Sequence, residues 1–81
     1  MYCTYILRNS RSGRHYIGST NDIDRRIKEH NRGQTKSTNQ LGEWTIIYKE
    51  QYNTALEAKH REKQIKSYKG GNAFKKLITR V

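Results

Sequence analysis

Apolar and polar positions along this chain follow two different periods, and the switches between them mark its elements. Tyr2 to Arg8, "YCTYILR", is a run of aromatic, β-branched and aliphatic residues, the make-up of a strand covered on both faces. "NSRSGR" follows with turn chemistry around Gly13, and His15 to Gly18 is a second short strand. The two are predicted to form an antiparallel hairpin. Near Asp22 the period becomes that of a helix, with Asn21 or Thr20 as its cap, Asp24 in its first turn and Gly33 as its stop. "QTKSTNQLGE" reads as a polar loop. Trp44 to Tyr52, "WTIIYKEQY", is the third strand, with Trp44, Ile46, Tyr48 and Tyr52 expected on one face. Thr54 to Glu57, "TALE", is a capping box and opens a helix running to about Tyr68, ended by Gly70 and Gly71. A last short helix, Ala73 to Arg80, carries Phe74, Leu77 and Ile78 as its apolar stripe.

The order ββαβαα predicts a single small α/β (α+β) domain over residues 1–81, a three-stranded antiparallel sheet flanked by helices. Hydrophobic residues make up only 32% of its 81 positions, so the core must be thin. The single cysteine, Cys3, forms no internal disulfide and is expected to be a small core residue in a reducing compartment. No apolar run approaches the ~20 residues of a membrane span, and no signal-peptide pattern opens the chain. A cytoplasmic protein without a membrane partner is therefore expected.

Charge changes the picture. Seventeen Lys and Arg against seven Asp and Glu leave +10, and Glu57 to Val81 holds eight basic residues against two acidic ones. A polyanion is the natural partner, since neutralising phosphates releases condensed counterions. No strongly amphipathic basic helix is present, which disfavours a lipid surface.

Wound at about 100° per residue, the first helix turns Ile23 and Ile27 inward, with His30 between them and Arg26 on the flank; Arg25 and Lys28 point elsewhere. An arginine beside the sheet requires an anion. The second helix repeats the anomaly. Ala55, Ala58 and Ile65 define its inward face, and Glu62 projects from the middle of it, needing a basic side chain or a metal. Tyr16 and Gly18 share a strand face, and the bare Gly18 leaves room beside the ring, so that Tyr5, Tyr16, Arg26 and Glu62 could converge. The competing structural reading is a salt bridge between Arg26 and Glu62. His15 and His60 show no zinc spacing with Cys3 or with each other.

At these residues the chain resembles the GIY-YIG nuclease domain family, in the small stand-alone branch similar to the N-terminal domain of the excision-nuclease C subunit. "CTYIL" stands for the first motif with its tyrosine at Tyr5, "YIG" (Tyr16-Ile17-Gly18) for the second, and "STNDIDRRIKEH" follows. Arg26 lies ten residues after Tyr16, where the family has its arginine, and Glu62, in "REKQIK", stands at the position of its metal-binding glutamate. Cys3-Thr4 replaces Gly-Ile, Ser19 follows the second motif, and Asn72 is the candidate for the family's late asparagine.

The resemblance implies a metal-dependent endonuclease that hydrolyses DNA phosphodiesters, in repair, recombination or the processing of branched or flapped structures. Tyr5, Tyr16, Arg26, His30 and Glu62 would be its catalytic residues, and Glu62 its ligand for Mg²⁺ or Mn²⁺. Tyr5 is expected as general base or water-positioning group, its pKa lowered by nearby cations, with Tyr16 assisting; which phenol does which job stays open. Ser19, Arg25, Lys36, Lys66, Lys69, Asn72, Lys75 and Lys76 are the expected nucleic-acid contacts. The residues do not separate DNA from RNA, and a protein partner could supply specificity. The alternative is a non-catalytic basic nucleic-acid-binding module of the same fold.

Overall fold

A computed structural model describes residues 1–32 and 42–79. The expected helix stop at Gly33, nearly all of the polar loop, Lys36 and Arg80 lie outside the described residues. The elements are β1 (Tyr2–Asn9), β2 (His15–Thr20), α1 (Ile23–Asn31), β3 (Trp44–Tyr52), α2 (Ala55–Ser67) and α3 (Asn72–Ile78), in the expected order ββαβαα. The strands form one antiparallel sheet with β1 in the centre, in the order β2-β1-β3. Among the described residues no helix is long and apolar enough to cross a membrane.

β1 is buried on both faces, as its unbroken apolar run requires, and its alternation separates two cores. Cys3, Tyr5 and Leu7 pack with Trp44 under Ile23 and Ile27 of α1. Ile6 packs on the other side with Ile65 of α2 and with Phe74 and Leu77 of α3. Thr4 shares that second face and donates from Oγ1 to the Ala58 carbonyl at 2.6 Å, pinning α2 to the central strand. α1 is clipped on its own face by Asn31, whose side chain donates to the Trp44 carbonyl at 3.2 Å and accepts from its amide at 2.7 Å.

Several local expectations are corrected. The α1 cap is Asp22, whose Oδ1 accepts from the Arg25 amide at 3.1 Å, and not Asn21 or Thr20; Thr20 instead accepts from the Asp22 amide. α2 starts as its capping box predicts, with Thr54 Oγ1 accepting from the Glu57 amide at 3.2 Å. Ala58 and Ile65 are buried on α2, but Ala55, its first residue, is exposed. β3 does not present Trp44, Ile46, Tyr48 and Tyr52 on one face. A register shift opposite Ile6 and Leu7 pairs Tyr48 with Ile6 but Ile46 with Leu7. One inserted residue reverses the alternation, so Trp44 and Ile46 follow the α1 face while Tyr48 and Tyr52 follow the α2 face.

Candidate active site

Three elements bring four of the five expected catalytic residues together on the α1 face. Tyr5 lies between Cys3 and Leu7 on the α1 face of the sheet's central strand, and its partner across the ladder is Gly18. A Cβ on Gly18 would stand 2.6 Å from Tyr5 Oη, 2.8 Å from its Cζ and 3.0 Å from Tyr16 Cε1. The missing side chain is thus the space that the Tyr5 phenol occupies. The two tyrosine rings stack at 6.3 Å between centroids, and the His30 ring stands 4.6 Å from Tyr16. Tyr5 Oη and His30 Nε2 are hydrogen-bonded at 3.1 Å, both groups being only 1% exposed.

Arg26 closes this group. Its guanidinium is within bonding reach of both phenols, and its Nη1 donates to Glu29 Oε1 at 3.1 Å. Bonding to Tyr5 above all, and then to Glu29 and Tyr16, raises its affinity for its proton despite burial. Burial pushes the Tyr5 hydroxyl up to about 12; Arg26 opposes this, and the charges of Tyr16 and Glu62 add to it. The expected lowering of that phenol by cations therefore does not occur in the free protein: desolvation of the phenolate outweighs one arginine. Burial, reinforced by Arg26, lowers His30 to about 4, so its imidazole is neutral at physiological pH.

Glu62 approaches from the opposite side of the sheet. Ser19 pairs with Thr4 and follows the α2 face; its Oγ donates to Glu62 Oε1 at 2.6 Å, and Lys66 Nζ donates to Oε2 at 2.6 Å. Burial raises the carboxyl, but bonds from Lys66 and Ser19 and the charges of Lys66 and Lys59 prevail and hold it below its ordinary value. The two halves flank the edge strand β2 at neighbouring residues: Gly18 lies opposite Tyr5, and Ser19 holds Glu62. Arg26 and Glu62 do not neutralise each other: each has its own partner, Glu29 and Lys66.

Among the described residues no three His, Cys, Asp or Glu side chains gather as a metal cage. One ionised carboxylate still suits a divalent ion that keeps most of its waters. Glu62 fits that role: its carboxyl is held below its ordinary value, Ser19 fixes one oxygen, and the half-exposed Lys66 engages the other.

The expected nucleic-acid contacts do not form one surface. Ser19 and Lys66 are engaged with Glu62, and Arg25 is exposed on α1. Lys69, Asn72, Lys75 and Lys76 are exposed around the start of α3. There Phe74 meets the His15 ring at 5.1 Å, four residues of β2, or roughly 13 Å, from Ser19.

Sequence reasoning missed Lys59 and Lys63, which line a depression of about 290 Å³ with Glu62 and Lys66. It also missed Glu29; the i,i+3 spacings of Arg26–Glu29 and Lys59–Glu62 carried the signals for Glu29 and Lys59. A larger hollow of about 470 Å³ on the outer side of α2, between Tyr52, Leu56 and His60, includes none of the five catalytic candidates.

The family model described as the GIY-YIG catalytic domain matches residues 1–75. UPF0213 proteins of Staphylococcus aureus strains Mu50 and N315 are each 40% identical over 65 residues, 79% of this chain and 78% of theirs. The solution NMR structure of the UPF0213 protein BH0048 from Bacillus halodurans is 29% identical, with a TM-score of 0.49 over 100% of this chain and 99% of that one. By the match along nearly all its length, the chain belongs to the GIY-YIG family of nuclease catalytic domains.

Proposed function

We propose that this chain is an endonuclease that hydrolyses DNA phosphodiester bonds with Mg²⁺ or Mn²⁺ held by Glu62, acting on branched, flapped or damaged DNA in repair or recombination. The observation that carries this reading is the buried Tyr5–His30 hydrogen bond under Arg26, set beside an ionised carboxylate at the Gly18–Ser19 edge. In this reading a protein partner chooses among substrates. The buried free thiol of Cys3 suits a cytoplasmic setting.

Tyr5 works through His30. In the Nδ1–H tautomer, His30 Nε2 accepts from the phenol. As a water attacks phosphorus and the bond to the leaving ester oxygen breaks, the water's proton passes to Tyr5 Oη while the phenolic proton passes to His30, and the departing alkoxide takes a proton from solvent. The phenol therefore never has to exist as a free phenolate, which its pKa of about 12 forbids at neutral pH. The neutral state of His30 keeps Nε2 available, and the arriving phosphate's negative charge raises its basicity. Tyr16 packs against His30 and orients the pair. Arg26 forks onto the non-bridging oxygens and offsets the charge that builds there. A divalent ion, when bound, adds Lewis-acid neutralisation of the phosphate.

Nicked, flapped, branched and linear duplexes, incubated with Mg²⁺ or EDTA, test the proposal. Wild type should cut at least one of them only with metal, and Glu62→Gln should lose cleavage at least 10²-fold while retaining binding. Metal-independent binding without cleavage by wild type would replace the nuclease with a binding module of the same fold.

A further inference from the structure

Glu62 is surrounded by positive charge before any substrate arrives. Lys59, Lys63 and Lys66 line the same depression, and Lys66 Nζ lies 2.6 Å from Oε2. The Glu62 side chain is 19% exposed and that of Lys66 is 54% exposed. The carboxylate is therefore fixed and shielded, held from its other side by Ser19, while the ammonium sits at the end of a mobile stem. A divalent ion approaching Oε2 meets a seat already taken, in a field of three lysines around one acid. Each of these positive charges opposes the approach of the ion, even through water.

We propose that Lys66 is the resident counter-cation of Glu62 and occupies the seat of the divalent ion, so that metal loads only by displacing it. This rests on the reading of Glu62 as the metal ligand. The displaced ammonium is long enough and exposed enough to turn to the substrate's phosphates, where Lys59 and Lys63 already face. Metal loading and phosphate binding then favour each other: the phosphate supplies the negative charge that Lys66 would otherwise seek from Glu62. By linkage the preference is reciprocal. A free protein loads metal poorly, and a substrate-bound one loads it well.

The probe is Mn²⁺ alone, titrated into the full chain at constant ionic strength and followed by the electron paramagnetic resonance signal of the free ion. Lys66→Met keeps the aliphatic stem and removes the ammonium. It should bind Mn²⁺ about tenfold more tightly than wild type. Lys59→Met removes the same charge without vacating the seat and should gain no more than about threefold. Glu62→Gln added to Lys66→Met should abolish the gain. Equal affinity of wild type and Lys66→Met overturns the proposal, and so does an equal gain from Lys59→Met. Circular dichroism confirms that each variant is folded. Because the readout is binding, it is independent of cleavage. A tighter, Glu62-dependent site in a protein that cuts nothing would sustain the lysine's role and remove the nuclease. Metal-dependent cleavage with unchanged Mn²⁺ affinity would do the reverse.

Discussion

Adding one methyl group at Gly18 should cost both stability and cleavage, and the geometry sets the size of each loss. The new Cβ would lie 2.6 Å from Tyr5 Oη, 2.8 Å from Cζ and 3.0 Å from Tyr16 Cε1, against an ordinary carbon contact of ~3.5–4.0 Å. The Tyr5 ring must therefore move by roughly 1 Å. It has nowhere to go: it is 1% exposed and packed among Cys3, Leu7 and Trp44. Overpacking of this kind costs about 1–3 kcal/mol. Restricting the unfolded chain returns only about 0.4–1 kcal/mol, so destabilisation wins. For a domain of this size the melting temperature should fall by about 5–15 °C. The same displacement stretches the 3.1 Å bond to His30 beyond bonding length, and general acid–base catalysis is worth ~10²–10⁴-fold. Thermal unfolding by circular dichroism, with cleavage measured well below the midpoint, reads both losses. Gly18→Ala with wild-type stability would refute the close approach itself.

Two further substitutions probe the groups around this pair. His30 is neutral and buried with a pKa near 4 in the folded protein, against about 6.5 in the unfolded chain. Between those values the unfolded state takes up a proton that the folded one refuses. Stability is therefore full above pH 6.5 and falls by roughly 3 kcal/mol as pH drops to 4. His30→Gln should flatten that part of the curve in urea titrations across pH, and an unchanged slope would refute the assignment. On the other helix, Arg61 donates to both Glu50 oxygens, at 2.9 and 3.1 Å, while Tyr48 and Tyr52 donate to the same carboxylate. Arg61→Met should leave that half-buried anion without its cation and cost about 1–2 kcal/mol. Cleavage should fall with it if this clamp also sets the rotation of α2, and a melt identical to wild type would make the network ornamental.

Much of this arrangement could be read along the chain because it is local. The run Tyr2 to Arg8 announced a central strand, Thr54 to Glu57 a helix start, and the angular position of Arg26 and His30 on α1 their inward direction. Each depends on residues within one turn or one strand of each other. What escaped depends on pairing between distant segments. The register shift in β3 leaves no mark in "WTIIYKEQY", because a bulge is decided by the partner strand. The clamp of Arg61 on Glu50 joins positions eleven residues apart across a helix–sheet contact. The direction of the Tyr5 shift was misjudged for a related reason: sequence reveals the cation nearby but not how completely the phenol is buried.

The placement of the two halves explains why an edge strand, ordinarily a liability, lies at the centre of this site. Tyr5, Tyr16, Arg26 and His30 gather on one face of the sheet, whereas Ser19 and Glu62 belong to the other. In the interior of a sheet, a neighbouring strand would separate them. Among the described residues β2 has no strand neighbour on its outer side, so groups from both faces can reach around it, and Gly18 keeps that rim thin. The register of β2 against β1 then becomes a chemical parameter as well as a structural one. Moving it by one residue would turn Ser19 toward the phenols and Gly18 toward α2. The carboxylate would lose its anchor, and Tyr5 would meet a hydroxymethyl group where it now has space. Packing of Ile17 against the Ile6 cluster and of Tyr16 against the Tyr5 cluster opposes that slip from both faces at once. The same two small cores that make the domain fold therefore also hold the phenols and the carboxylate in their relative positions.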